Sequence, residues 1–203
     1  MWKIIALCVA AAVSYKVAAY TPVETVVQPI KRTAKVETGI DIVKQYNGNL
    51  CLDAVLKTKQ IDKVVLMAVL LTESRYYYKG DVLPNPWAVN YGGKGVHYKT
   101  RAEALAGIRK AIKAGQTNID VGCGQLNYRW HKDKFKSLEE MIDPYRNVHE
   151  AEKFLMSLKG NNSWMKTIAM YHNSVDKAKQ QKYLKNFRAL LKEHRIEGYR
   201  IWN

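Results

Sequence analysis

A chain of 203 residues, 47% of them hydrophobic, can bury one sizeable core and is too short for two large domains, so a single active site is to be sought. The formal net charge of +15 favours polyanionic surroundings. The lysines are scattered and form no single run, so a solvated basic surface accounts for them as well as a binding stripe does.

The N-terminus carries Lys3, an apolar stretch from Ile4 to Val13 and small residues at Ala18 and Ala19. That is the pattern of a secretory signal peptide over residues 1–19, with Val17-x-Ala19 or Ser14 as the place of cleavage. The apolar stretch is shorter than the roughly 20 residues a membrane span needs, so no stable span is expected once the signal is removed. An exported basic chain meets anionic wall polymer or lipid headgroups, and nucleic acid is not expected as a partner. Of the cysteines, Cys8 leaves with the signal and Cys51 with Cys123 remain. Two thiols in an exported chain suggest one disulfide, while two separate buried thiols stay open as the alternative.

Residues 20–47 contain Pro22 and Pro29 and no sustained helical period, and read as a linker or loosely attached arm. From residue 48 a helix, a turn near Thr58 to Ile61 and a second helix follow, the second containing the apolar run Val64 to Leu71. A helix apolar on nearly all sides belongs in a core. Residues 75–99, with Pro84, Pro86, Gly92, Gly93 and Gly95, argue for loops or short strands. Thr100 with Glu103 forms a capping box that opens a helix running to about Ala114. A second box, Ser137 with Glu140, opens a short helix. Asp143-Pro144 opens another, with Pro at its first position and Val148, Ala151, Leu155 and Leu158 inward. Trp164, Ile168 and Tyr171 follow at helical spacing, and a last basic helix places Tyr183, Phe187, Leu190 and Leu191 on one side. The fold class expected is mainly α, with at most a small sheet between residues 85 and 125. One domain then spans 48–194, with 195–203 as a tail.

Two stretches carry candidate chemistry. Glu73 follows a run of eight apolar residues near the end of a core helix, where desolvation and the negative end of the helix dipole both disfavour its charged form. A carboxyl protonated near neutral pH is what a glycosidic oxygen needs as a general acid. Read alone, the same residue equally marks where the helix reaches solvent. In the second stretch, residues 118–127, Gly122 and Gly124 allow close backbone approach, and Gln125 and Asn127 offer donors and acceptors suited to sugar hydroxyls and amides. Read alone, this is a turn rich in Gly and Asn.

Together the two stretches resemble the soluble lytic transglycosylase-like family of the lysozyme-like superfamily. That family carries a Glu-Ser pair at the end of a core helix, here Glu73-Ser74, and later a Gly-x-x-Gln turn, here Gly122-Cys123-Gly124-Gln125. Trp87-Ala88-Val89-Asn90 and Thr100-Arg101-Ala102-Glu103-Ala104 are similar to the branch whose members accompany secretion systems and pili. Asp143-Pro144 with Asn147-Val148, and then Tyr171-His172, fall in the expected order, so the resemblance covers about residues 48–185.

The resemblance implies a helical lysozyme-like domain in the periplasm or cell envelope, acting on peptidoglycan glycan strands and serving a secretion or pilus assembly. It implies Glu73 as the single catalytic acid and base. Ser74 and Gln125 would bind near the scissile sugars, and Tyr171 would line the catalytic end of the groove. In the family's reaction the acid protonates the leaving oxygen, and its carboxylate then takes the proton of the sugar's own 6-hydroxyl, closing an anhydro ring without water. A hydrolase of goose-lysozyme type and a noncatalytic wall-binding protein are the rival readings.

A two-carboxylate scheme needs a partner across the scissile bond. Asp81 and Asp120 are the nearest in sequence, and Asp120 reads as a turn residue that bonds nearby backbone. Two departures from the family pattern stand out: Met170-Tyr171-His172-Asn173-Ser174 in place of Ala-Tyr-Asn-Ala-Gly, and Cys123-Gly124 in place of Leu-Met. The five histidines show no metal-ligand spacing, so neither metal nor other cofactor is expected. His131, beside Trp130, reads as structural or surface. Trp87, Tyr91, Tyr128 and Trp130 are core aromatics or sugar-stacking rings.

Overall fold

A computed structural model describes residues 39–202 apart from 47 and 79. The expected signal peptide and most of the expected arm lie outside the described residues. Among the described residues the architecture is mainly α, with two small antiparallel sheets. None of the described helices is long and apolar enough to cross a membrane.

Helix α3 (Lys63–Ser74) is the axis of the larger apolar cluster, with Val64 to Leu71 all fully buried. A side chain apolar at every angle needs neighbours on every side. α1 (Gly39–Lys44), α2 (Leu50–Lys57), α9 (Lys177–Glu193) and strand β2 (Asp81–Pro84) supply them. Asn49 caps α2 by accepting from the backbone N–H groups of Cys51 and Leu52, and Asp62 caps α3 through Val64. Such caps satisfy amides that the first turn leaves unpaired.

Strand β1 (Arg75–Tyr78) leaves α3 directly and pairs with β2. A second sheet runs in the order β4 (Lys94–His97), β3 (Ala88–Tyr91), β5 (Ile119–Val121), β6 (Leu126–Asn127). Helices α4 (Arg101–Lys113), α6 (Leu138–Ile142) and α7 (Pro144–Lys159) share the smaller apolar cluster with it, around Val89, Ile108, Ile119, Val121 and Ile142. α5 (Tyr128–His131) follows β6, and α8 (Trp164–His172) bridges α7 and α9. The capping box at Thr100 and the Pro start of α7 stand where the sequence puts them; at Ser137 the box is half formed, since the hydroxyl accepts from the Glu140 amide while the Glu140 carboxylate accepts from the Lys136 amide instead of that of Ser137. Tyr171 packs against both apolar clusters, so the seam between the helical core and the sheet passes at its ring.

The structure corrects three boundaries. The last part of the arm expected over 20–47 is packed, because α1 places Ile42 and Val43, with Tyr46 just beyond it, in the main core. Six residues are too few for a helical period to show. The tail expected over 195–203 is also packed: Ile196 is buried, Trp202 donates its indole N–H to the Ile196 carbonyl at 2.8 Å, and its ring lies edge-on to Phe187. The β structure reaches outside residues 85–125, since β1 and β2 form a hairpin of their own, with Pro84 at the end of β2. Proline is tolerated at a strand end, where it interrupts no ladder.

Candidate active site

A groove of about 1430 Å³ opens along the seam. Glu73, one residue from the end of α3, enters it partly buried. Burial pushes its carboxyl up from the ordinary value to about 7; the hydrogen bond from Tyr183 opposes the rise, and the charge of Asp120 adds to it. The Tyr183 hydroxyl donates to Glu73 Oε1 at 2.6 Å. A donor on Oε1 leaves the other oxygen as the seat of the acid proton. Tyr183 comes from α9, and the ring of His172 stacks flat on it at 4.3 Å between centroids. Burial lowers the His172 imidazole, so it is held toward its neutral form.

Beneath Glu73 lies the turn between β5 and β6. Ser74 is 1% exposed, and its hydroxyl donates to the Cys123 carbonyl at 2.7 Å and to the Leu70 carbonyl at 3.1 Å. This corrects its expected role: Ser74 is not among the residues lining this groove, and its hydroxyl fixes the end of α3 to the turn. Cys123 is bonded to Cys51, with Cα atoms 5.7 Å apart, which ties the same turn to α2. Asn147, fully buried, donates to the carbonyls of Val121 and Met141 and accepts from the Gly124 amide. Tyr171 donates to the Gly124 carbonyl at 2.7 Å. A Cβ at position 124 would stand 2.8 Å from the Ala151 methyl and 3.0 Å from the Tyr171 hydroxyl. The departure from a bulky pair at 123 and 124 therefore has a local cause: a disulfide at one position and close contact at the other.

Gln125 lines the groove with φ at 48°, and its amide nitrogen donates to the carbonyls of Gly122 and Ala88. Its position agrees with the expectation, while that nitrogen is committed to the backbone. Asn127 also lines the groove, but its amide donates to Asn118 and Asp120 and its oxygen accepts from the Arg129 amide. It acts chiefly as the cap of α5 and a support for Asp120.

Asp120 is the group that the sequence understates. It lies in β5, not in a turn, and faces Asn90 on one side and Asn127 on the other in strand register. Directly opposed side chains of neighbouring strands meet, and both amides donate to the carboxylate, Asn90 at 3.0 Å and Asn127 at 2.7 Å. Burial raises Asp120 above the usual carboxylate range against the pull of these two bonds and of His172. It lines the groove with Glu73, whereas Asp81 opens β2 and is not among the groove's lining. Of the candidate stacking rings, Trp87, Tyr91 and Tyr128 pack against the smaller apolar cluster, and Trp130 stands 74% exposed on the groove.

Comparison of the chain with family models, with curated proteins and with solved structures finds no match. The groove holds one carboxyl raised to about 7, a second carboxyl braced by two amides, and polar and aromatic walls.

Proposed function

We propose that this protein cleaves the glycan backbone of peptidoglycan, between N-acetylmuramic acid and N-acetylglucosamine, as a lytic transglycosylase. The observation that carries this reading is Glu73, a carboxyl raised to about 7 by burial and oriented by Tyr183 in an open groove. An acid with a pKa near the working pH both gives and retakes a proton efficiently. Glu73 donates its proton to the glycosidic oxygen as the bond to the anomeric carbon breaks. The Glu73 carboxylate then takes the proton of the 6-hydroxyl, whose oxygen closes on the anomeric carbon as a 1,6-anhydro ring. Glu73 ends protonated, and no water is consumed. The motif resemblance supports the same assignment, with export to the periplasm or envelope and service to a secretion or pilus assembly as its setting.

Asp120 favours a second reading, a hydrolase of goose-lysozyme type, because a second carboxylate in the groove can direct water to the anomeric carbon. Mass spectrometry of purified glycan strands after incubation with the protein and with Glu73→Gln decides between them. Anhydro ends made by the wild type and not by the variant are expected. Reducing ends would make the protein a hydrolase, and intact strands with both proteins would leave wall binding without cleavage.

A further inference from the structure

Away from Glu73 the groove continues along a row of rings. Tyr171 lies 5.2 Å from Phe154, and Phe154 lies 4.8 Å from His131, between centroids. His131 is followed back along α5 by Trp130, whose indole is 74% exposed. An open indole on the groove leaves its apolar faces to solvent. α5 is capped by Asn127, and the Arg129 guanidinium lies 6.0 Å from the centre of the Trp130 ring while donating to the Thr117 hydroxyl at 3.1 Å. Two exposed cations, Lys134 and Lys153, line the same groove, Lys134 three residues after His131 and Lys153 next to Phe154, and neither is in a salt bridge among the described residues. Besides Glu73 and Asp120, the acidic side chains lining the groove are Glu150 and Asp176, the latter paired with Lys179.

We propose that this arm of the groove is a subsite for a sugar with acidic substituents, in which Trp130 stacks on the sugar ring and Lys134 and Lys153 receive the substituent carboxylates. The subsite rests on the peptidoglycan reading of the groove and adds a selectivity: strands bearing acidic peptide stems are held in preference to uncharged aminosugar chains. The chemistry of each part is separate. The apolar face of a pyranose covers an indole irrespective of charge, whereas ammonium groups on flexible stems act as point charges for carboxylates.

The test uses the purified Glu73→Gln protein, which holds substrate without turning it over, titrated calorimetrically with two tetrasaccharides. One is the alternating aminosugar oligomer carrying peptide stems, and the other is the uncharged N-acetylglucosamine tetramer. The stem-bearing oligomer should bind about tenfold more tightly, and adding Lys134→Gln with Lys153→Gln should abolish that preference while leaving the uncharged tetramer unaffected. Trp130→Ala should weaken both oligomers about tenfold. All three side chains are exposed, so circular dichroism should be unchanged. Equal affinity for the two oligomers, or unaltered binding by Trp130→Ala, overturns the subsite. Binding of neither oligomer by Glu73→Gln overturns the peptidoglycan reading as well.

Discussion

The Tyr183 hydroxyl and the Glu73 carboxyl, 110 positions apart in sequence, meet at 2.6 Å. A hydroxyl donor stabilises the carboxylate over the acid, so it works against the burial that raises Glu73. Tyr183→Phe removes the donor and leaves the burial, and the Glu73 pKa should climb by about one unit. The protonated acid starts the reaction, so the alkaline limb of the pH–rate profile should move to higher pH by the same amount. The maximal rate should fall as well, because the free carboxyl is less well oriented. An alkaline limb that stays in place would show that the bond does not set the acid's pKa.

Asp120 acts with the opposite sign. Its charge raises Glu73, so Asp120→Asn should bring Glu73 down by roughly half a unit and move the alkaline limb to lower pH. The amide still fits between Asn90 and Asn127, after a change in which groups donate. A transglycosylase needs no second carboxylate, and the variant should keep its anhydro product at a rate within about tenfold of wild type. Complete loss of activity would instead assign Asp120 the activation of water.

The raised Glu73 also costs stability. With an ordinary value of 4.5 and a folded value of about 7, the folded state holds its proton more tightly than the unfolded chain does. The stabilisation is fully present below about pH 4.5 and is lost as the pH rises through 7. The full difference is about 3 kcal/mol. Glu73→Gln, neutral throughout, should therefore melt several degrees higher than wild type at pH 8 and close to it at pH 4. Parallel melting curves at the two pH values would contradict the burial of the charge.

What was legible in the sequence were the features with local physical signals. The uniformly apolar run before Glu73 announces a core helix, and Thr100, Ser137 and Asp143-Pro144 announce helix starts, because caps and periods act within a few residues. The exposure of Glu73 to a groove, the partners of Asp120 and the use of Tyr183 were not legible. Tyr183 falls in a stripe with Phe187 and Leu190 that reads only as core, and its hydroxyl's partner is set by how α9 crosses α3. Asp120 next to Gly122 looks like turn chemistry, and only strand register reveals that it lies between two asparagines. Ser74 could not be told from a substrate ligand, since its orientation follows from the position of a turn 49 residues away.

The Cys51–Cys123 bridge closes 72 positions of chain, and both cysteines are fully buried. Cross-linking so long a loop restricts the unfolded chain far more than the folded one, a stabilisation of roughly 2–4 kcal/mol. Reduction under native conditions should be slow, because no reductant reaches a buried sulfur until the structure opens. Once reduced, or in the double variant Cys51→Ser with Cys123→Ser, the protein should melt roughly 10 °C lower. The bridge also holds the turn that carries Gln125, but Ser74, Asn147 and Tyr171 hold the same turn by hydrogen bonds. Activity measured well below the lowered melting temperature should therefore survive in large part. A double variant that keeps the wild-type melting temperature would remove the disulfide from the account of stability, and one that stays folded but inactive would make it a part of the site.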